Sequence, residues 1–294
     1  TGAVAIGHQA LTALTSGAGN TVIGYQAASG LTTGQRNVAI GHQAFTAGNN
    51  ETNDCIAIGH SALNSTGTAN AAACIAIGSS TLTATNHADS LGSIAIGHYA
   101  LSANLSGLRN MAIGYQAMLT HTTGDKNIVI GYGAMDDTDA GSTSLGSTRN
   151  IFMGYFAGGG TWVDAASSNN VAIGHYTMDS PLNGATHNTA VGDNALSAIT
   201  TGDNNTMIGS GAGDTITSGA DNVFIGMDAG NATSDVDRAV IIGSGVASSD
   251  MTSAADGTIA IGYDALNALT SGAKNTAIGY QSQNVVTVGV SNTT

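Results

Sequence analysis

The sequence predicts an all-β fold, a repetitive β-solenoid of about sixteen coils with ~17 residues in each. Three observations carry that reading. A glycine closing an apolar tripeptide recurs at 7, 24, 41, 59, 78, 97, 114, 131, 154, 174, 192, 209, 226, 243, 262 and 279. The residues before each of these glycines are β-branched or small and apolar, as a strand requires. The composition, with 42 Gly, one Pro and 9% charged residues, departs from that of globular enzymes, whose chains are roughly a quarter charged. Repeats of this length mark solenoids, in which each unit buries its apolar face only by stacking on its neighbours.

Numbering each unit from its glycine as position 0 exposes the columns. Position −1 is Ile in fourteen units, with Met153 and Val191 the exceptions, and position −3 is β-branched in fifteen, with Met111 the exception. Position −2 is Ala in ten units and never polar. A strand such as Asn37-Val38-Ala39-Ile40 therefore ends at a glycine bend. A second short segment follows, such as His42-Gln43-Ala44-Phe45, with Ala common at +3 and Leu, Met or Phe at +4. Polar turns close the unit, as at Thr32-Thr33-Gly34, Thr122-Thr123-Gly124 and Thr270-Ser271-Gly272.

Alternation places −1 and −3 on one face of the strand and −2 on the other. The large β-branched face is expected to fill the coil. The small face is apolar too, so it is expected to be covered by neighbouring subunits, whose close approach an alanine column would permit. The array is continuous over residues 1–283, and 284–294 lose the consensus, which reads as an exit toward another element. The chain opens inside a repeat at Thr1-Gly2-Ala3-Val4, as a processed protein or a slice of a longer one would.

Charge excludes several partners. With 19 acidic and 6 basic residues the net charge is −13, and both nucleic acid and anionic membranes attract cationic surfaces. No run of eighteen apolar residues exists to insert into a bilayer. Collagen is excluded because glycine does not recur at every third residue. Disorder is excluded by a 42% hydrophobic content in regular columns.

Position −4 is Asn in ten units: Asn20, Asn37, Asn110, Asn127, Asn150, Asn170, Asn188, Asn205, Asn222 and Asn275. Stacked amides can hydrogen-bond along the axis as a structural ladder. Cys55 and Cys74 take the same position in adjacent coils, where one coil of rise sets their Cα atoms roughly 5 Å apart, and they read as neighbouring thiols. All six basic residues, Arg36, Arg109, Lys126, Arg149, Arg238 and Lys274, stand at −5. Two readings of that column stay open: an exposed corner that accepts long side chains, or charges that pair with Asp between chains.

These columns resemble the head repeats of YadA-like trimeric autotransporter adhesins, and similar stretches occur in the tail-fibre β-roll repeats of bacterial viruses. Asn275-Thr276-Ala277-Ile278-Gly279-Tyr280-Gln281 and Asn110-Met111-Ala112-Ile113-Gly114-Tyr115-Gln116-Ala117 carry the likeness most fully. The resemblance implies a left-handed parallel β-roll and a parallel homotrimer, extracellular, on a cell surface or a virion. The adhesin heads have a period nearer 14 residues, so the turns here are longer.

Little in the sequence points to catalysis. Ile208-Gly209-Ser210-Gly211-Ala212-Gly213 imitates a dinucleotide fingerprint, but Gly209 is the repeat glycine and no helix follows. A left-handed acyltransferase helix would place an aliphatic residue at every sixth position, which this chain does not. Five His (His8, His42, His60, His98, His175) share position +1 with six Tyr, an exchange that suits a surface ladder or seam better than metal ligation. Asp136, Asp137 and Asp139, and again Asp235 and Asp237, could offer oxygens to calcium, although no Asp-x-Asp-x-Asp-Gly loop is present. Otherwise no cofactor is expected.

The longest insertions, 135–149 and 157–169, hold the only tryptophan. Trp162 with Asp136, Asp137, Asp139 and Asp164 is therefore the candidate recognition patch for a host surface receptor or glycan. The expected function is a non-catalytic fibre or adhesin shaft for surface attachment or host recognition. The alternatives are a monomeric solenoid binding ice or polysaccharide, or a viral tail-spike-like glycan-processing protein. The latter lacks the recurring carboxylate pair that glycoside cleavage needs.

Overall fold

In a computed structural model the described residues are 2–46, 52–64, 72–84, 91–138 and 146–294. They form two compact units, one up to Arg149 and one from Asn150 onward. In the first, eight three-residue strands stack: β1 (Val4–Ile6), β2 (Thr21–Ile23), β3 (Val38–Ile40), β4 (Ile56–Ile58), β5 (Ile75–Ile77), β6 (Ile94–Ile96), β7 (Met111–Ile113) and β8 (Ile128–Ile130). The second stacks β9 (Ile151–Met153), β10 (Val171–Ile173), β11 (Thr189–Val191), β12 (Thr206–Ile208), β13 (Val223–Ile225), β14 (Val240–Ile242), β15 (Ile259–Ile261) and β16 (Thr276–Ile278). Within each unit successive strands pair parallel and in register, as Ala39 with Ala57 and Ala190 with Met207. The fold is an all-β solenoid with one strand per repeat.

The register explains why position 0 is always glycine. Gly114 has φ +140°, and a Cβ there would lie 2.1 Å from the carbonyl oxygen of Gly131 in the next coil. Gly209 repeats this at φ +138°, 2.3 Å from the Gly226 oxygen. An L side chain is excluded twice over, by backbone conformation and by the coil above it. The chain then turns through left-handed residues at +2 and +4, as at Gln43 (φ 54°) and Phe45 (φ 59°). Single left-handed residues carry a small strain that the surrounding stack must offset.

The faces of the strand are the reverse of the sequence expectation. Position −2 points into the coil: Ala39, Ala57, Ala112, Val129, Phe152, Met207 and Phe224 are fully buried. Positions −1 and −3 face outward and are half-buried or exposed, with Ile6 58%, Ile23 37%, Ile173 39% and Ile208 40% accessible. The physical reason is lumen width. Each coil is filled from its opposite side by the +4 residue, such as Leu63, Leu101 or Met118, so an alanine at −2 leaves the room that Leu or Met takes. Where −2 is Phe or Met, +4 is glycine, and where it is Ile241, +4 is Ala247. A Cβ on Gly158 would meet Phe152 at 2.7 Å, one on Gly213 would meet the Met207 sulfur at 3.0 Å, and one on Gly230 would meet Phe224 at 2.4 Å. Volume is conserved within the coil while its source changes sides.

The last residues do not leave the stack. The Thr276 N–H donates to Asn292 O at 2.7 Å, the Lys274-like corner is repeated at Ser291 (φ 58°), and Thr293 bridges Thr276 in parallel. Residues 284–294 thus lay down part of a further coil, in place of the expected exit segment.

Candidate functional site: ladders and an apolar face

Four columns of side chains define what each unit presents. The first lies inside. In the second unit, the Asn188 N–H and Nδ2 donate to Asn170 Oδ1 at 3.0 and 3.2 Å, and Nδ2 also donates to Gly202 O at 2.8 Å. Asn205 then donates in the same way to Asn188 Oδ1. In the first unit Asn37 bonds Asn20, and Asn127 bonds Asn110. Asn150, Asn222 and Asn275 occupy the same buried column, and Asn292 adds a further rung on Asn275. The ten Asn at position −4 are buried and hydrogen-bonded, so this column holds coils together.

The second column is the aromatic one at +1. His8, Tyr25, His42 and His60 stack ring on ring at 5.0–5.3 Å, and His98, Tyr115 and Tyr132 at 4.9–5.4 Å. Tyr263 and Tyr280 repeat the stack at 5.5 Å, whereas His175 is tilted against Tyr155. Beside the rings, Gln43 donates to Gln26 and Gln26 to Gln9, an exposed amide ladder. The stacked rings remain partly exposed, as at Tyr25 and Tyr115.

The third is the basic column. Each of its six residues has a left-handed φ, from 55° at Arg109 to 64° at Lys274, which turns the side chain outward at a corner. Arg36 forms a two-pronged bond to Asp54, at 2.6 and 2.8 Å, and this bond holds the Asp54 carboxyl below its usual range. Arg238 reaches Asp256 at 3.0 Å. Those two cations find their acids one coil away in the same chain, so inter-chain pairing is not needed for them. Among the described residues Arg109, Lys126, Arg149 and Lys274 have no carboxylate within ion-pair distance. The acids one position earlier cap backbone: Asp125, Asp203, Asp237 and Asp256 accept from Leu108, Thr186, Ala220 and Asp237 N–H groups of the coil below. Sequence reading missed this role, which is signalled by Asp or Asn standing at position −6.

Trp162 does not present to a ligand the face that the predicted recognition patch requires. Trp162 is fully buried, edge-on to Phe152 at 5.6 Å, and its Nε1 donates to Gly158 O at 3.0 Å. It fills the lumen where +4 is glycine, so it has no face for a sugar. Asp136 and Asp137 belong to the first unit and the exposed Asp164 to the second, while Asp139 lies outside the described residues. Asp235 accepts the Ser253 N–H and Asp237 the Ala220 N–H. Among the described residues no three His, Cys, Asp or Glu side chains converge as a metal site, and there is no cavity.

The fourth column is the outward Val/Ile face. Positions −3 and −1 hold no charged residue in any unit. Eight coils of about 4.8 Å make each unit's strip on the order of 40 Å long and a few hundred Å² in area. The strip carries Thr21, Thr189, Thr206 and Thr276 and is otherwise Val, Ile or Met.

Neither a family profile nor a curated protein matches this chain.

Proposed function

We propose that the chain is a non-catalytic fibre or adhesin shaft, extracellular on a cell or virion, that self-associates as a parallel homotrimer. The observation that carries this reading is the outward Val/Ile face, uncharged and half-exposed along both units. A parallel, in-register partner sets its own identical columns against these at every coil, because both share one repeat. An antiparallel partner loses that match wherever a repeat is longer than 17 residues. The chain's polar surface is mostly uncharged, so the apolar strip supplies the main attraction. A shaft so built holds a receptor- or glycan-binding element away from the surface that bears it.

Molar mass by light scattering at micromolar concentration tests the reading. Three chain masses are expected for the wild type. Ile173→Asn with Ile208→Asn, two outward positions, is expected to give a folded monomer. A monomeric wild type, showing unchanged mass on dilution, would overturn the proposal in favour of a solitary solenoid that binds a flat surface.

A further inference from the structure

Position −5 is a left-handed corner in every coil, and its backbone does not ask for a charge. Gly92 (φ 69°), Asn169 (φ 61°) and Asn204 (φ 59°) fill it elsewhere, and glycine and asparagine accept this conformation most readily. Three successive coils of the first unit nevertheless carry Arg109 (φ 55°), Lys126 (φ 61°) and Arg149 (φ 58°), all exposed. Backbone bonds keep the three in one column. The Arg109 N–H donates to Leu91 O at 3.1 Å, the Lys126 N–H to Leu108 O at 2.9 Å and the Arg149 N–H to Asp125 O at 3.0 Å. Like charges set side by side at one coil rise, about 4.8 Å, repel one another. The series therefore opposes stacking instead of supporting it.

The same column shows what such a cation takes. Arg36 holds the Asp54 carboxylate, one coil along, by two bonds at 2.6 and 2.8 Å. In the second unit Arg238 holds Asp256 at 3.0 Å. Among the described residues Arg109, Lys126 and Arg149 have no such partner. Residues 90–124 and 140–163 contain no Asp or Glu that could serve. Asp125, next to Lys126 in the chain, accepts the Leu108 N–H at 2.7 Å. An in-register parallel copy repeats both acid-free stretches at the same heights, and so leaves Arg109 and Arg149 without a carboxylate as well.

We propose that Arg109, Lys126 and Arg149 form a binding ledge for a linear polyuronate, an acidic glycan with one carboxylate on each ring. Three cations in line at the coil rise answer charges repeated at short intervals along a strand, and arginine forks suit carboxylates. An extended acidic peptide repeats its side chains on one face only every ~6.7 Å, which falls out of step with the coils. Single-stranded nucleic acid needs aromatic faces for its bases, and Leu108, Asp125 and Thr148 beside the cations offer none. The chain's distant acids are screened beyond about 10 Å at 0.1 M salt. The ledge lies within one chain, so the inference does not depend on how many chains associate.

The test passes the full chain, in its native assembly and at low salt, over immobilised polygalacturonate and reads binding by surface plasmon resonance. The wild type is expected to bind, and to bind less as salt is raised. The triple substitution Arg109→Gln, Lys126→Gln and Arg149→Gln should weaken binding by about tenfold or more. The complementary triple, Arg36→Gln, Arg238→Gln and Lys274→Gln, removes the same charge from the same column and should bind as the wild type does. Both triples should keep the wild-type circular dichroism and solution mass, since every replaced side chain is exposed. The inference is overturned if the wild type does not bind polygalacturonate, or if the two triples weaken binding equally. It is also overturned if fully methyl-esterified polymer, polyglutamate or an oligodeoxythymidine binds as tightly.

Discussion

The ring of Phe224 lies over the α-carbon of Gly230: a Cβ at that glycine would sit 2.4 Å from Phe224 Cε2. Elsewhere the same two columns carry Ala and Leu, as in Ala57 with Leu63 and Ala95 with Leu101. Phe224→Ala alone should cost about 3–5 kcal/mol as a cavity. Gly230→Leu alone should cost at least about 1–3 kcal/mol by overpacking. Together they rebuild the commoner pair, and Leu accepts the left-handed backbone here, as Leu63 (φ 50°) and Leu101 (φ 51°) do. Urea unfolding followed by circular dichroism should place the double variant within about 1.5 kcal/mol of wild type. Simple addition of the two losses would show that the columns do not share one volume.

The repeat glycines separate strain from collision. Gly114 and Gly279 have similar φ values, +140° and +132°, but only Gly114 has a coil whose carbonyl its Cβ would strike, at 2.1 Å, while Gly279 meets nothing within 4 Å. Gly279→Ala should lose only the backbone strain, about 1–3 kcal/mol. Gly114→Ala should lose clearly more, because backbone in two coils must move. Midpoints of chemical unfolding for the two variants, measured side by side, check the order.

Asn188 makes the bonds of two coils at once, donating to Asn170 Oδ1 and Gly202 O and accepting from the Asn205 N–H and Nδ2. Asn188→Ala removes them and leaves the Asn205 N–H buried without its acceptor. Each orphaned buried group costs about 1–3 kcal/mol, so a loss of roughly 2–5 kcal/mol is expected. Amide hydrogen exchange should localise it, with faster exchange at Asn205 and little change at Asn37 in the other unit.

These cases mark how far sequence reading reaches. Strand positions, glycine bends and the amide column are legible because each is a repeated letter at a fixed offset, and sixteen copies average out the exceptions. Which strand face is interior is not legible from alternation, which fixes only that −1 and −2 oppose one another. Side-chain size suggested the β-branched face. The pairing of Phe152 with Gly158 and of Phe224 with Gly230 held the contrary signal, since only facing positions trade volume. Trp162 was misplaced for a related reason: a tryptophan in a long insertion looked like an exposed loop residue, yet the glycine at 158 had emptied the lumen beside it. Arg36 and Asp54 share a column 18 residues apart, so their pairing was readable once the register was known.

His121 supplies a pH dependence that can be signed. It is fully buried where other coils carry Leu31, Ile199 or Ile216. Its Nδ1 lies 3.2 Å from Thr138 Oγ1, and its Nε2 lies 3.3 Å from Asn127 Nδ2. That amide nitrogen spends its two hydrogens on Asn110 Oδ1 and Ser147 O. An imidazolium would set a further N–H against it in a dry interior. Burial accordingly lowers the His121 pKa to about 4, against smaller opposing effects from the Gly124 backbone and Asp125. With the folded value below the unfolded one of about 6.5, the unfolded chain binds more protons between them. Stability is therefore unaffected by this group above about pH 6.5 and falls as pH drops toward 4, by up to about 3 kcal/mol. Urea midpoints measured from pH 8 to pH 4 should show that decline in the wild type and a flatter profile in His121→Leu. Parallel profiles for the two proteins would mean that the loss comes from the carboxylates instead.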